Sequence, residues 1–122
     1  MALHTDLPIY ATGCKLLKLA IHVQEQMPRS MKRSLGEKIN AHAIEMLDLM
    51  AMANATQHAE RAANIERLLK HQRAATVLLR VSHDCRYISH ALWAESVELL
   101  GSIGKQGGGW LKSSHLRSGP AA

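Results

Sequence analysis

Apolar residues recur along this chain at intervals of three and four, and no stretch alternates residue by residue. That is the period of helices buried along one face. The first segment runs from Pro8 or Ile9 to Met27, with Leu16, Leu17, Ala20, Val23 and Met27 on its stripe. Asp6 is placed to cap it and Pro8 suits its first turn. Pro28 ends it, because the residue before a proline is driven out of helical geometry. The second segment, from Ser30 or Lys32 to Asn54, carries Leu35, Ile39, Ala43, Met46, Leu47, Met50 and Ala53. Gly36 inside it costs about 1 kcal/mol relative to alanine and points to a close helix approach. Asn54-Ala55-Thr56 reads as a turn. The third and longest segment, His58 to Tyr87, carries Ile65, Leu68, Leu69, Gln72, Ala75, Leu79 and Val81. Ser89 reads as the N-cap of a fourth, running to Lys105 with Leu92, Trp93, Val97, Leu99, Leu100 and Ile103 on its apolar face.

Four helices of similar length joined by three short connections predict an all-α fold, an antiparallel up-down-up-down four-helix bundle. On this reading the bundle occupies residues 1–106. Gly107-Gly108-Gly109 ends regular structure, and residues 107–122 form a glycine-rich turn and a basic C-terminal tail, with Trp110 folding back to close the bundle end. The 122 residues make one domain. The chain has no Phe, so its core must be built from Leu, Ile, Val, Met and Ala. No run approaches the ~18 apolar residues needed to cross a membrane. The N-terminus has no basic-then-apolar export pattern, which makes the cytoplasm the default location. Cys14 and Cys85, far apart in a chain without such a signal, are expected reduced and buried.

The third helix has more apolar surface than one bundle contact needs. Ile65, Leu68, Gln72 and Leu79 point one way, while Ala63, Ala74, Val77, Leu78 and Val81 fall largely on the other side. Either these are scattered surface aliphatics or Ala74, Val77, Leu78 and Val81 form a subunit interface, the reading adopted here. Between the two faces Glu66, Arg73, Arg80 and Tyr87 recur every seven residues, with Lys70 beside them. The formal charge is +5, which favours anionic partners. Arg73, Arg80 and Lys70 are candidates for phosphate contact, together with Arg29, Lys32 and Arg33 near the first turn and Lys105, Lys112 and Arg117 near the C-terminus. Any one of them read alone is a solvated helix-face charge.

Catalytic patterns are missing. The eight histidines give no helical i, i+4 pair and no HExxH motif. His83-Asp84-Cys85 are consecutive and diverge on a helix, so no metal or cofactor is expected. His83 and His90 read as capping or surface residues. There is no GxSxG elbow, P-loop or GxGxxG, and no glutamate is followed by the ExxH spacing of di-iron bundles. Tyr10, Tyr87, Trp93 and Trp110 are too few for a base-stacking platform, and Trp93 reads as packed in a helix interface. Nucleic-acid binding, if present, would be electrostatic and weakly sequence-specific.

Several short motifs occur together. They are Leu7-Pro8-Ile9-Tyr10, Met27-Pro28-Arg29 followed by Leu35-Gly36-Glu37-Lys38-Ile39, Leu79-Arg80-Val81-Ser82-His83-Asp84, Tyr87-Ile88-Ser89 and Gly108-Gly109-Trp110-Leu111-Lys112-Ser113-Ser114. In this order and spacing, from Leu3 to Ser114, the chain resembles the accessory variability protein of diversity-generating retroelements. The resemblance implies a four-helix bundle assembled into a homopentameric barrel with a positively charged surface. It implies binding to RNA or DNA and to the retroelement reverse transcriptase, in support of mutagenic complementary-DNA synthesis and retrohoming, with no catalytic residue of its own. A related group, encoded within intervening sequences of bacterial large-subunit ribosomal RNA genes, shares the bundle. Its Asn-Ile-Ala-Glu-Gly-like turn after the second helix is replaced here by Met52-Ala53-Asn54-Ala55-Thr56. The alternative to the retroelement role is a generic oligomeric helical scaffold of that second type.

Overall fold

A computed structural model describes residues 3–118, with side chains described through His115. Four long helices carry the fold: α1 (Pro8–Gln26), α2 (Glu37–Ala55), α3 (His58–Asp84) and α4 (His90–Ser118). No strand forms among the described residues. The contacts between the helices run in opposite senses. Gly13 of α1 lies against Leu47 and Met50 of α2, and Gln24 lies against Gly36. His42 of α2 meets His71 of α3, while Arg61 reaches Ala53. Leu69 of α3 meets Gly107 of α4, whereas His83 stacks on Trp93. Gln106 of α4 closes the ring by donating to Thr12 of α1. Every neighbouring pair is therefore antiparallel, as expected of an up-down-up-down bundle.

The core is aliphatic. Val23, Ile39, Met46, Met50, Ile65, Leu68, Leu79, Leu100 and Ile103 are essentially sealed from solvent. Ser82 and Ser96, also buried, donate to the carbonyls of Leu78 and Leu92 at 2.8 Å and 2.7 Å, so neither hydroxyl is left without a partner. Gln72 sits in the α3 stripe because its amide donates to the Leu100 carbonyl of α4 at 3.0 Å. Val97, placed on the apolar face of the fourth helix by periodicity, instead stands 46% exposed.

Local chemistry sets most boundaries. Leu7, not Asp6, holds the cap position of α1; Asp6 lies in a short 3-10 turn, His4–Asp6, and makes no side-chain cap bond. After Met27 the chain re-enters helix through Arg29–Met31 and a π-helical stretch, Lys32–Gly36, before α2. The wider turn is held by polar side chains. Gln24 donates to the Lys32 carbonyl at 3.0 Å, and Asn40 donates to the Gln24 amide oxygen and the Gly36 carbonyl, both at 2.9 Å. Gly36 is needed here because a Cβ would lie 2.5 Å from Gln24. Arg61 then caps the far end of α2 by donating to the carbonyls of Ala53 and Asn54.

α3 ends at Asp84, short of the expected Tyr87. Arg86 turns the chain with φ 61°, and the Tyr87 and Arg86 amides donate back to the carbonyls of Ser82 and His83. This is a Schellman-type stop with arginine in the position glycine usually takes. Tyr87 therefore does not extend the seven-residue strip of Arg73 and Arg80. Ser89 caps α4 as expected, its hydroxyl accepting from the Leu92 amide at 3.2 Å.

The fourth helix overturns the division at residue 107. It runs unbroken through Gly107-Gly108-Gly109 to Ser118, and none of these glycines has a positive φ. There is no glycine-rich turn, and Trp110 packs half-buried against the core from within the helix. Packing outweighs propensity here. Gly107 is buried where a Cβ would come within 2.8 Å of Leu69, so the missing side chain lets α4 close on α3. Gly108 and Gly109 face open space. Both cysteines are free, but Cys14 is only half-buried and Cys85 is exposed, not buried as expected.

These contacts give the three glycines different responses. Gly108→Ala and Gly109→Ala should each raise stability by about 0.5–1 kcal/mol, the helical cost of glycine. Gly107→Ala should show none of this gain, because the Leu69 methyl must shift aside to admit the new Cβ. Thermal denaturation followed by circular dichroism distinguishes the two classes; a uniform gain across all three would contradict the close contact.

Candidate nucleic-acid interface

The folded chain distributes its cations over both ends and one side. Arg29, Lys32 and Arg33 sit on the knuckle between α1 and α2, exposed except for the half-buried Lys32. The α3–α4 turn lies at this same end and contributes Arg86. Arg73 and Arg80 are exposed on α3, about 10 Å apart along the helix by its rise per residue. Lys105 and Lys112 are exposed on α4 toward the opposite end. Arg117 lies within α4, but its side chain is outside those described. No single patch gathers all the candidates.

Most of these charges are uncommitted. Among the described residues, Arg80 is the one lysine or arginine in an ion pair, an exposed i, i+4 contact with Asp84 at 3.8 Å. Such pairs contribute little and exchange readily for another anion. The imidazole of His115 reaches Glu66 at 3.7 Å across α3 and α4, so Glu66 has its own partner beside the Arg73 strip.

Lys70, exposed beside Arg73 on α3, also borders a second setting. With His42, Arg67, His71 and Ala74 it lines a concave surface of about 240 Å³ between α2 and α3. The two imidazoles meet there, Nδ1 to Nδ1 at 2.9 Å. Burial first, and the neighbouring His71 second, hold the His42 pKa below its ordinary value. Composition had suggested no role for His42, Arg67 or His71. The signal was available, however. His42 and His71 are equidistant from the two-residue connector Thr56-Gln57, which in an antiparallel hairpin places them opposite each other.

Two other hollows differ in charge. The groove between α1 and α4 mixes Lys15, Lys18 and His22 with Glu95 and Glu98 over Leu19 and Leu99. The hollow at Gln57, His58, Arg61 and Ser114 contains an arginine already engaged in capping α2. No three His, Cys, Asp or Glu side chains converge as metal ligands among the described residues. No described helix is long and apolar enough to cross a membrane.

The outward side of α3 carries Val77, 60% exposed, and Val81, 42% exposed. Ala74 and Leu78 are half-buried; Leu78 turns toward the core, leaving the two valines as the solvent-facing part of the stripe. His83, half-buried, stacks on Trp93 with the rings 15° from parallel and meets His90 at 3.3 Å.

The His42–His71 contact has a pH consequence. The folded state holds His42 below the unfolded value of 6.5, so the native state binds fewer protons there than the unfolded chain. Its stabilising contribution is fully present above that value and is lost as pH falls below it. The midpoint of thermal unfolding should drop between pH 7.5 and 5.5, less steeply in His42→Gln; identical slopes would remove the histidine pair as the cause. No protein-family model matches this chain, and no curated protein or solved structure matches it significantly.

Proposed function

We propose that this protein is a non-catalytic accessory factor of a diversity-generating retroelement. In this role it binds RNA or DNA and the reverse transcriptase encoded with it, and so supports mutagenic complementary-DNA synthesis and retrohoming. The motif series from Leu7-Pro8-Ile9-Tyr10 to Gly108-Gly109-Trp110 supports the retroelement assignment. The observation that carries the binding role is the set of exposed lysines and arginines with no ion-pair partner among the described residues, Arg73 and Lys70 at its centre. Charges of this kind neutralise phosphates and release condensed counterions, which makes affinity fall steeply with salt. Without an aromatic platform the binding is electrostatic and reads little sequence.

Assembly belongs to the same proposal. Val77 and Val81 expose apolar surface along α3 between cationic positions. Pairing this stripe between copies in a homo-oligomer, a pentamer in the family the chain resembles, would bury the valines and set the arginines of successive subunits side by side. The exposed valines equally suit the second reading, a helical scaffold whose charge serves only solubility.

Co-purification of the tagged protein with the reverse transcriptase encoded beside it, at several salt concentrations, tests the accessory role. A stoichiometric complex that dissociates as salt rises is expected; no complex at any salt would refute it. Arg73→Ala with Arg80→Ala should weaken nucleic-acid binding about tenfold or more while leaving helicity and assembly mass unchanged. Unaltered affinity would exclude the strip as the contact. Val77→Asp with Val81→Asp should reduce the mass measured by light scattering to that of a monomer, and a retained assembly would place the subunit contact elsewhere.

A further inference from the structure

We propose that the pocket between α2 and α3 lined by His42, Arg67, Lys70, His71 and Ala74 is a binding site for an oxyanion of the phosphate class. All four of its ionisable side chains are cations or can become cations, and no carboxylate lines it. Neither Arg67 nor Lys70 has an ion-pair partner among the described residues. Arg67, His71 and Ala74 follow one another on α3 at four and three residues, so they share a face one turn apart. Ala74 keeps the next turn open. The volume, about 240 Å³, accommodates a tetrahedral oxyanion with some of its hydration.

The histidine pair gives this pocket a property that the outer cations lack. Two Nδ1 atoms 2.9 Å apart can share one proton, one ring donating to the other. A proton added to this neutral pair makes an imidazolium beside Arg67 and Lys70, and a further one would set two imidazolium groups against each other. An oxyanion in the pocket removes that repulsion and accepts from the rings directly. Occupation should therefore draw a proton onto the pair. On α2, Lys38 and Glu45 flank His42 one turn to either side, both exposed and neither lining the pocket. No residue of α1 or α4 lines it. Within the pocket the charges beside the pair are Arg67 and Lys70, both cationic, and Glu45, one turn from His42, makes no ion pair with it.

The site shares Lys70 with the proposed nucleic-acid contact but is tested separately from it, because inorganic sulfate, whose charge is constant over the range used, is a sufficient probe. Sulfate is titrated at fixed ionic strength while the imidazole signals of His42 and His71 are followed by NMR. Saturable shifts of both rings are expected, with affinity about tenfold higher at pH 6.0 than at pH 7.5 and net proton uptake in calorimetry. Arg67→Ala with Lys70→Ala, both exposed positions, should weaken binding about tenfold or more at either pH. His71→Gln should alter the pH dependence, because only His42 is left to take the proton, while Arg67 and Lys70 still bind. A short single-stranded oligonucleotide then separates the sources: displacement of sulfate identifies a backbone phosphodiester as the occupant, and coexistence a free anion. No response to sulfate beyond that to chloride would overturn the proposal. So would a pH dependence unchanged in His71→Gln, or rings that respond to zinc ion and not to sulfate.

Discussion

The constraint on which this fold rests is that its core contains no phenylalanine. A bundle filled by Leu, Ile, Met and Val must bring its helices close together or leave voids, and each void costs contact energy. Close approach is possible only where one helix presents little side chain. Gly13 admits Leu47 and Met50, Gly107 admits Leu69, and Gly36 admits Gln24. The same closeness requires that inward polar groups be small or satisfied. Ser82 and Ser96 bond within their own helices, and Gln72 bonds across to Leu100. With the interior closed in this way, the long cationic side chains have nowhere to go but outward.

Register follows from the same packing. The connector between α2 and α3 is two residues long, so the helices leave it side by side and positions equidistant from it must meet. His42 therefore faces His71, and Arg67 and Lys70 lie within reach of both. On the other side of α3 the partner is α4, where Glu66 meets His115 and Leu69 meets Gly107. α3 is thus held on two flanks. Its third side, with Lys70, Arg73, Val77, Arg80 and Val81, is left to solvent or to another molecule. The knuckle before α2 adds a second display of charge. Its π-helical stretch, held by Gln24 and Asn40, carries Lys32 and Arg33.

Much of this was legible from one-dimensional pattern. The apolar intervals located α1, α2 and α3 to within a few residues, except for the stretch leading into α2, and Ser89 marked the start of α4. The exposure of Val77, Val81, Arg73 and Arg80 followed from angle alone. What failed were inferences from local propensity and from carrying a period past the contacts that support it. Three consecutive glycines read as a helix end, yet the contact of Gly107 with Leu69 and the half-buried Trp110 carry the helix through them. Tyr87 continued the heptad on paper, but the left-handed Arg86 takes it out of the helix. Val97 fitted an apolar stripe and faces solvent, because a helical angle fixes a side chain's direction and not what lies in that direction.

The amino-acid order by itself determined the helical class, the antiparallel path and the outward placement of charge. Each is set by periodicity, connector length or the cost of burying a cation, and these act within a few turns of chain. The tertiary structure alone decided how far the fourth helix runs, because its continuation depends on a neighbour distant in sequence. It also decided which cations meet. Arg73 and Arg80 remain apart along one helix, whereas Lys70 and Arg67 join two histidines from different helices. Such convergence is a property of register between helices, which no single segment encodes.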